Sequence, residues 1–383
     1  MTKSVAPLPQ TSKSLLPSGF SDLLPPEAGL EADTITHLLK SFKQFGFDRI
    51  KPPLAEFEDS LFAPGPGASL VHNTFRVMDP VSHRMMGIRS DITAQIARIA
   101  SSRLQNEPRP LRLCYANDVL RIKGSQARTA RQFTQIGCEI IGEDSVESDI
   151  EIAVVAVKAL ISLGVQDLTL DMNLPRLPDM VFAQFGVSEA EQEKVLKALG
   201  DRDQEALDKL GGDAAALFKA VLSVSHDQAL MLKTLSDQDF LKDQTAHLEA
   251  VYQGVQKALK EMDVQSVKIT LDVLETSGLE YHNGVTFSFF SAKVAAALGR
   301  GGRYKITLEA EESAAGFTLY TDTLMQTLPK REAQKRIAVD TAESWGVIQS
   351  LQDEGWIVLR VNGHNKALDG CTHKFDNGNI IEV

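Results

Sequence analysis

Four short stretches of the sequence carry the side-chain types that a zwitterionic small molecule requires. They comprise Arg89 with Asp91 and Thr93; Arg121; Gln135 with Glu139; and Glu280, Tyr281 and His282 with Arg300 and Arg303. An ammonium group needs an acidic or amide oxygen, and a carboxylate needs a guanidinium or an amide N–H. Polar residues also alternate with apolar ones wherever one face of an antiparallel sheet is solvated. The residue types therefore leave a small-molecule pocket and an exposed polar face as alternatives.

Other chemistries have weaker support in the sequence. The run GRGGRY at 299–304 lacks the spacing of a dinucleotide loop and the lysine of a P-loop, so we expect a tight turn there. His364, Cys371 and His373 are widely spaced and lack a fourth ligand, which favours a solvated loop over a metal site. No GxSxG or HExxH motif occurs, and Cys114 and Cys138 are expected to be small core residues. The sequence thus predicts no cofactor and no metal.

The strand that must position the third stretch is predicted at residues 131–141, which have a strict two-residue period. Because alternate side chains point to opposite faces, Gln135 and Glu139 should share one face of a sheet. Strands at 111–115 and 118–122 and a hairpin spanning 74–89 are predicted beside it. The spacing of Ile96, Ile99 and Ala100 predicts a helix over 93–104.

The rest of the chain indicates an α+β fold with an antiparallel sheet and flanking helices. Helices are predicted from about 35 to 45 and from a Ser148 cap to 163, followed by a strand at 167–172. Residues from about 175 to 263 are rich in Ala, Leu, Glu and Lys, which predicts a helical insertion. Strands are predicted at 267–274, 282–290 and 307–310, and a small α/β segment with a final hairpin after residue 330.

Composition limits the possible partners and compartments. The 383 residues carry a formal charge of −11, which opposes binding to nucleic acid because that affinity depends on Lys and Arg contacts to phosphate. No segment approaches the roughly 20 apolar residues of a membrane span, and no export signal precedes residue 16. Three cysteines without CxxC spacing fit a reducing cytoplasm. We therefore expect a cytoplasmic protein that binds neither membrane nor nucleic acid.

Several of these segments together resemble the class II histidyl-tRNA synthetase family over roughly residues 15 to 328. LRLCY at 111–115 through Arg121 to RQFTQIGCEIIG at 131–142 is similar to the family's motif 2, and FGFDRIKPP at 45–53 to its motif 1 dimer segment. LPSGFSD at 16–22 resembles its N-terminal signature, and RSDIT at 89–93 the segment that holds the histidine ammonium. GLEYHNG at 278–284 and GGRY at 301–304 resemble its two histidine signatures.

The resemblance implies an amino-acid pocket made by seven residues of this chain. They are Asp91, Thr93, Arg121, Gln135, Glu139, Tyr281 and His282. Tyr281 matches the first aromatic residue of the family's Tyr-Tyr pair, and His282 replaces the second. The resemblance also divides the chain into a flexible tail at 1–14, a catalytic-type domain at 15–330 that contains the insertion, and a truncated α/β domain at 331–383.

Departures from the family pattern concern the chemistry of amino-acid activation. Ser277 and Thr323 stand where the family has arginines, and the motif 2 Arg-x-Glu reads Arg121-Ile122-Lys123 here. Two lost guanidinium contacts would cost roughly 3 to 6 kcal/mol, or on the order of 10² to 10⁴ in rate. The last 53 residues carry six basic against eight acidic residues, and are expected to be too short for an anticodon-binding domain.

A synthetase-like domain with these losses resembles the regulatory subunits of ATP phosphoribosyltransferase. That resemblance implies a non-catalytic homodimer that assembles with the short-form catalytic subunit into a hetero-oligomer, in the first step of histidine biosynthesis. It also implies feedback inhibition with histidine as effector. A working histidyl-tRNA synthetase and a stand-alone histidine-binding module remain as alternatives.

Overall fold

The computed structural model describes residues 15–63, 65–125, 127–275, 281–306, 312–329, 335–362 and 370–383, with the side chain of Ser69 outside the description. The predicted tail at 1–14, the predicted strand at 307–310, Ser277, Glu280 and His364 all lie outside these residues. The backbone contacts divide the chain into one unit of Met1–Leu328 and a second of Pro329–Val383. No helix in the described ranges has both the length and the apolarity needed to cross a lipid bilayer.

The first unit is built on a sheet of eight described strands in the order β1-β5-β6-β11-β10-β9-β7-β8. Its strands are β1 Asp48–Arg49, β5 Leu111–Leu120, β6 Gln132–Ile141, β7 Leu168–Asn173, β8 Val267–Leu271, β9 His282–Ser291, β10 Val294–Lys305 and β11 Ser313–Tyr320. The inner pairs are antiparallel, and the two outermost pairs, β1 with β5 and β7 with β8, are parallel. The prediction of an α+β fold around an antiparallel sheet is confirmed.

A smaller sheet and four helices accompany these strands. The sheet has the order β2-β4-β3, from Ala55–Phe57, Met85–Ile88 and Phe75–Met78, and the last two form the predicted hairpin. The helices are α1 Glu27–Gln44, α2 Glu58–Leu61, α3 Thr93–Ser102 and α4 Val146–Ser162, and Ala68–Leu70 is a 3-10 turn. The apolar faces of α1 and α4 pack on the sheet, so that Leu38, Phe42 and Ile152 belong to one buried core.

Three local predictions were wrong. Ser145, not Ser148, caps α4, because its hydroxyl accepts a hydrogen bond of 3.1 Å from the Ser148 backbone N–H. The two strands expected at 111–115 and 118–122 form the single strand β5, since residues 116 and 117 stay paired with β6. The turn expected at 299–304 lies inside β10, where Gly301 lets the β11 backbone and the Phe287 ring approach closely.

The stretch for which composition predicts helices contains α5 Leu177–Phe185, α6 Glu189–Gly200, α7 Gln204–Leu210, α8 Gly212–Ser223, α9 Gln228–Ser236, a 3-10 turn Asp239–Leu241 and α10 Lys242–Glu261. Their buried residues, including Phe182, Phe218 and Leu248, continue the core formed by the sheet and α4. We call α5 to α10 the insertion. One short helix, α11 Thr321–Leu324, then follows β11.

The second unit is a small α/β segment. Its sheet has the order β13-β12-β14-β15, from Ile357–Val361, Arg336–Asp340, His373–Asp376 and Asn379–Glu382. Helix α12, Trp345–Asp353, covers Ile337 and Val339 with Ile348 and Leu351. The predicted strand, helix, strand and final hairpin are all present.

Candidate functional site

Glu139 is the buried centre of the site. As predicted, it shares one face of β6 with Gln135, and their side chains are 1% and 0% exposed. Oε1 of Glu139 accepts hydrogen bonds of 3.3 Å from the hydroxyls of Thr93 and Tyr115, and Oε2 accepts one of 3.1 Å from Tyr304. The Glu139 carboxyl group is therefore bonded to three neutral hydroxyls, and none of these bonds comes from a basic side chain.

This environment changes the protonation of the site. Burial raises the pKa of Glu139 to about 8, and the three hydroxyl contacts only partly oppose that shift. Burial beside Glu139 also raises the pKa of Tyr115 and of Tyr304 well above the ordinary value of a phenol. At neutral pH the carboxyl group is thus mostly protonated, which lets it donate a hydrogen bond as well as accept them.

Asp91, Gln135 and Thr93 form a second cluster beside Glu139. Gln135 Nε2 donates to Asp91 Oδ2 over 2.8 Å, and Gln135 Oε1 accepts from the backbone N–H of Ile92 over 3.0 Å. Asp91 Oδ1 accepts from the Thr93 N–H over 2.9 Å. The structure therefore brings these three predicted residues together, and their bonds hold the first turn of α3 against β6.

Tyr281 and His282 form the other wall of the site. Their rings stack with centroids 4.1 Å apart, and the Tyr304 ring meets that of Tyr281 edge-on at 5.7 Å. The free space between this wall, Glu139 and Thr318 is about 10 Å³. That is no more than a single water needs, so an amino acid fits here only if a wall residue moves.

A wider cleft of about 730 Å³ opens from this point. It is lined by Asp91 of the second cluster, by the Tyr281–His282 wall, by alanines of β10 that include Ala297, by Tyr320 and by the basic residues Arg121, Lys123, Arg128 and Arg300. Arg121 lies 5.1 Å over the Phe133 ring and its Nε donates to the Ser90 carbonyl over 3.3 Å. All seven predicted residues therefore line this cleft or the buried pocket next to it, or are bonded to those that do.

Arg128 is a site residue that sequence reasoning missed. Its Nε lies 2.9 Å from the Asp322 carboxylate, and its guanidinium stacks 3.8 Å over the Tyr320 ring. Its NH2 group donates to the Ala297 carbonyl over 3.0 Å and to the Thr323 hydroxyl over 3.4 Å. Arg128 lies in a loop where the sequence shows no periodic pattern. Nothing in the sequence therefore indicates its contact with Thr323, about 195 residues away.

Two arginines named with the site have structural roles instead. Arg89 is buried and donates to the carbonyls of Asp118, Pro52 and Pro53. Arg303 is buried against α4 and pairs with Asp149 over 2.8 Å. The described residues contain no group of three or more His, Cys, Asp and Glu side chains arranged to hold a metal ion.

The combined geometry suits the recognition of a zwitterionic small molecule. Asp91 and Gln135 offer oxygens for an ammonium group, Arg121 and Arg300 offer positive charge in the cleft, and Glu139 offers a hydroxyl-like group at the buried end. The guanidinium nearest Thr323 is already neutralised by Asp322, which weakens it as a phosphate ligand.

Comparison with known proteins relates this chain to two groups of proteins. A family model described as histidyl-tRNA synthetase matches residues 19–324. An ATP phosphoribosyltransferase regulatory subunit of Paramagnetospirillum magneticum is 39% identical over 97% of this chain and 98% of the relative. The protein of the same description from Rhodospirillum centenum is also 39% identical, over 97% of each chain.

Solved structures share the fold. One from Bacillus halodurans, described as an ATP phosphoribosyltransferase regulatory subunit/histidyl-tRNA synthetase, superposes with a TM-score of 0.75 at 21% identity, over 92% of this chain and 94% of that one. A chain of an ATP phosphoribosyl transferase complex from Thermotoga maritima gives 0.59 at 14% identity, over 76% and 97%. The expected class II synthetase-like fold is confirmed.

Proposed function

Because the chain belongs to the family of ATP phosphoribosyltransferase regulatory subunits, built on the histidyl-tRNA synthetase fold, we propose that it binds and enables a short-form catalytic subunit. Its role in this first step of histidine biosynthesis is regulatory and not catalytic. The observation that carries this conclusion is the 39% identity to named regulatory subunits over 97% of the chain. The three free cysteines support a reducing, cytoplasmic setting for the assembly.

The part of the cleft around Thr323 supports the proposal that this chain does not activate an amino acid. By resemblance, Thr323 stands where the histidyl-tRNA synthetase family has an arginine. Its hydroxyl donates to the Ala297 carbonyl over 3.0 Å. Arg128 supplies a guanidinium nearby, but Asp322 neutralises it. A paired guanidinium offers less stabilisation to the charge that develops during adenylate formation.

We also propose the seven predicted residues as the binding site for histidine. Asp91, Thr93 and Gln135 would take its ammonium group, and Arg121 its carboxylate. Glu139 would meet the imidazole between Tyr281 and His282. Asp91 and Arg121 line the cleft of about 730 Å³, whereas the end at Glu139 has about 10 Å³ free. The imidazole would therefore reach Glu139 only when the Tyr281–His282 wall moves, so binding selects a second state of the subunit.

The test of the function is reconstitution. The chain is mixed with a short-form catalytic subunit, and phosphoribosyl-ATP formation is followed with and without histidine. We expect activity to rise on mixing and histidine to suppress it. Unchanged activity would contradict the proposal, and histidine-dependent exchange of pyrophosphate into ATP at synthetase-like rates would identify a working synthetase instead.

Calorimetric titration tests the pocket separately. We expect Glu139→Ala to weaken histidine binding to the chain, alone and in the complex, by about tenfold, since leaving the buried imidazole nitrogen without a hydrogen-bond partner costs about 1 to 3 kcal/mol. The exposed Glu189→Ala change on α6 is the control. Equal histidine affinity of both variants would show that the pocket is a relic.

Self-association is a further part of the proposal. The segment at 45–53 follows α1 and contains the exposed edge strand β1, which pairs with β5 and with no other described strand. An open strand edge favours pairing with another chain. We expect a homodimer by sedimentation equilibrium and a shift toward monomer on Arg49→Pro, while a monomeric wild type would contradict this part.

A further inference from the structure

A second cavity lies in the first unit, where the insertion meets β9 and β10. Its volume is about 370 Å³, within the usual range of roughly 300 to 1,000 Å³ for small-molecule sites. Residues 174–180, the start of α10 and residues 283–285 of β9 contribute to its walls. Tyr281, Glu139 and the other members of the predicted histidine pocket are not among its lining residues. We call it the insertion cavity.

The lining combines an apolar interior with charges of both signs. The apolar residues are Leu174, Leu177, Met180, Leu241 and Val285. The exposed charged residues are Asp243, which is acidic, Arg176 and Lys305, which are basic, and Asp144, which pairs with Arg303 NH1 over 3.0 Å. A ligand with an apolar body and both an ammonium and a carboxylate group would match this distribution.

One wall is held by a buried charge network. Oδ2 of Asp149, a side chain that is 0% exposed, accepts from Arg303 Nε over 3.2 Å and from His247 Nε2 over 2.8 Å, and Oδ1 lies 2.8 Å from Arg303 NH2 in an ion pair. Arg303 also donates to the carbonyls of Glu143 and Ser145 over 2.9 and 2.8 Å. Arg303 and His247 both line the cavity, so its polar wall is fixed before any ligand arrives.

Thr245 gives an independent sign of a missing ligand. Its side chain is 1% exposed, lines the cavity, and its hydroxyl has no hydrogen-bond partner in the described part of the chain. Threonine hydroxyls inside helices usually bond to a backbone carbonyl one turn earlier, as Thr34 does in α1. A buried hydroxyl without a hydrogen-bond partner lowers the stability of the folded chain unless a ligand in the cavity supplies that partner.

We propose that the insertion cavity binds an apolar amino acid in its zwitterionic form. The side chain would lie against Leu177, Met180 and Val285, the charged groups at the acidic and basic residues of the mouth, and the Thr245 hydroxyl would bond to the ligand. This site does not depend on the function proposed above, because neither the catalytic subunit nor the histidine pocket enters the argument.

Two strands connect this cavity to the histidine pocket. Tyr281 and His282 line that pocket, and the next residues, 283–285, line the insertion cavity. On β10, Tyr304 bonds to Glu139 while the adjacent Arg303 forms the cavity wall. An amino acid in the insertion cavity therefore contacts the strand that carries the movable wall of the other pocket.

Thermal unfolding and calorimetry of the full chain with leucine and with phenylalanine test the proposal. We expect either amino acid at millimolar concentration to raise the melting temperature of the wild type. Met180→Trp fills the cavity and should abolish the effect, whereas Leu196→Trp, a matched change on the exposed face of α6, should retain it. Glu139→Ala should also retain it, because that residue belongs to the other pocket.

Thr245→Val keeps the shape of the side chain and removes only the hydroxyl. It should bind leucine or phenylalanine about tenfold more weakly than wild type, or 1.4 kcal/mol, and it keeps the test decisive if Met180→Trp fails to fold. The absence of binding to wild type, or equal affinity of wild type and Thr245→Val, would overturn the proposal. Reconstituted activity is a separate measurement, so the regulatory function can stand if this site fails.

Discussion

The Glu139 carboxyl group occupies the space where a side chain on Gly316 would lie. The two residues are direct cross-strand partners of β6 and β11, and a methyl group added to Gly316 would overlap Oε2 of Glu139. The glycine therefore allows a carboxyl group to enter the middle of the sheet. The depth of the pocket depends on this one missing side chain.

We expect Gly316→Ala to lower the free energy of unfolding by about 1 to 3 kcal/mol, because a methyl group would be forced into a packed site. It should also displace Glu139 from Tyr304 and reduce histidine binding. Urea denaturation and calorimetry measure the two effects. Gly200→Ala is the matched control, since an added methyl group there meets nothing within 4 Å and the residue is helical. Equal loss of stability in both variants would contradict this account.

The stability of the chain should fall as pH rises from about 4.5 to 8. Burial raises the pKa of Glu139 from 4.5 to about 8, so over this range the folded chain keeps a proton that the unfolded chain releases. The contribution is complete below pH 4.5 and is lost by pH 8. Glu139→Gln removes it, so urea denaturation at pH 5 and pH 8 should show a smaller decline in the variant than in the wild type.

Asp171 provides a comparison, because its contribution to the pH dependence of stability should end at a lower pH than that of Glu139. Burial raises its pKa from 3.8 to about 6, although its bond from Thr270 opposes the shift. Asp171→Asn should therefore remove a pH dependence that ends near pH 6 and leave the decline between pH 6 and 8 intact. If Glu139→Gln and Asp171→Asn alter the same part of the pH profile, the assignment to Glu139 is wrong.

Removing the guanidinium of Arg128 should destabilise the first unit. Arg128→Met would leave Asp322, whose side chain is 16% exposed, without its cation, and breaking such a buried pair costs about 3 to 5 kcal/mol. The double variant Arg128→Met with Asp322→Asn should recover much of this loss, because no unpaired charge remains. A double-mutant cycle by chemical denaturation measures the coupling, and additive losses would contradict it.

His282→Ala should strengthen histidine binding if the seven-residue pocket is the histidine site. The His282 ring stacks on Tyr281 and fills the end of a pocket with about 10 Å³ of free space, so its removal spares the ligand the cost of displacing it. We expect an affinity gain of about tenfold by calorimetry. Unchanged binding would place the wall outside the histidine site, and weaker binding would show that the His282 ring contacts the ligand instead of blocking its entry.

Much of the sheet could be predicted because its residues obey a strict period. The two-residue alternation at 131–141 correctly places Gln135 and Glu139 on one face. The spacing of apolar residues also predicts helices α1 and α3, whose apolar faces contain buried residues. β10 was not predicted, because its glycines are turn formers by composition and only the close approach of β11 shows why a strand needs them.

Contacts between distant segments also escape sequence reasoning. Arg303 was grouped with the cleft residues, but a register shift between Gly302 and Tyr304 in β10 accompanies its placement against Asp149. Arg128 reaches Asp322 from a loop for which no periodicity exists. The sequence gives the identity of both arginines, but only the folded chain shows which carboxylates they pair with.

Arg128 and Thr323 share one acceptor, because the Ala297 carbonyl accepts from Arg128 NH2 and from the Thr323 hydroxyl, each over 3.0 Å. An arginine placed at position 323 would therefore bring a second guanidinium into space that Arg128 already fills. One substitution at 323 would not give the cleft an unpaired guanidinium there, since residues 128 and 322 would have to change with it.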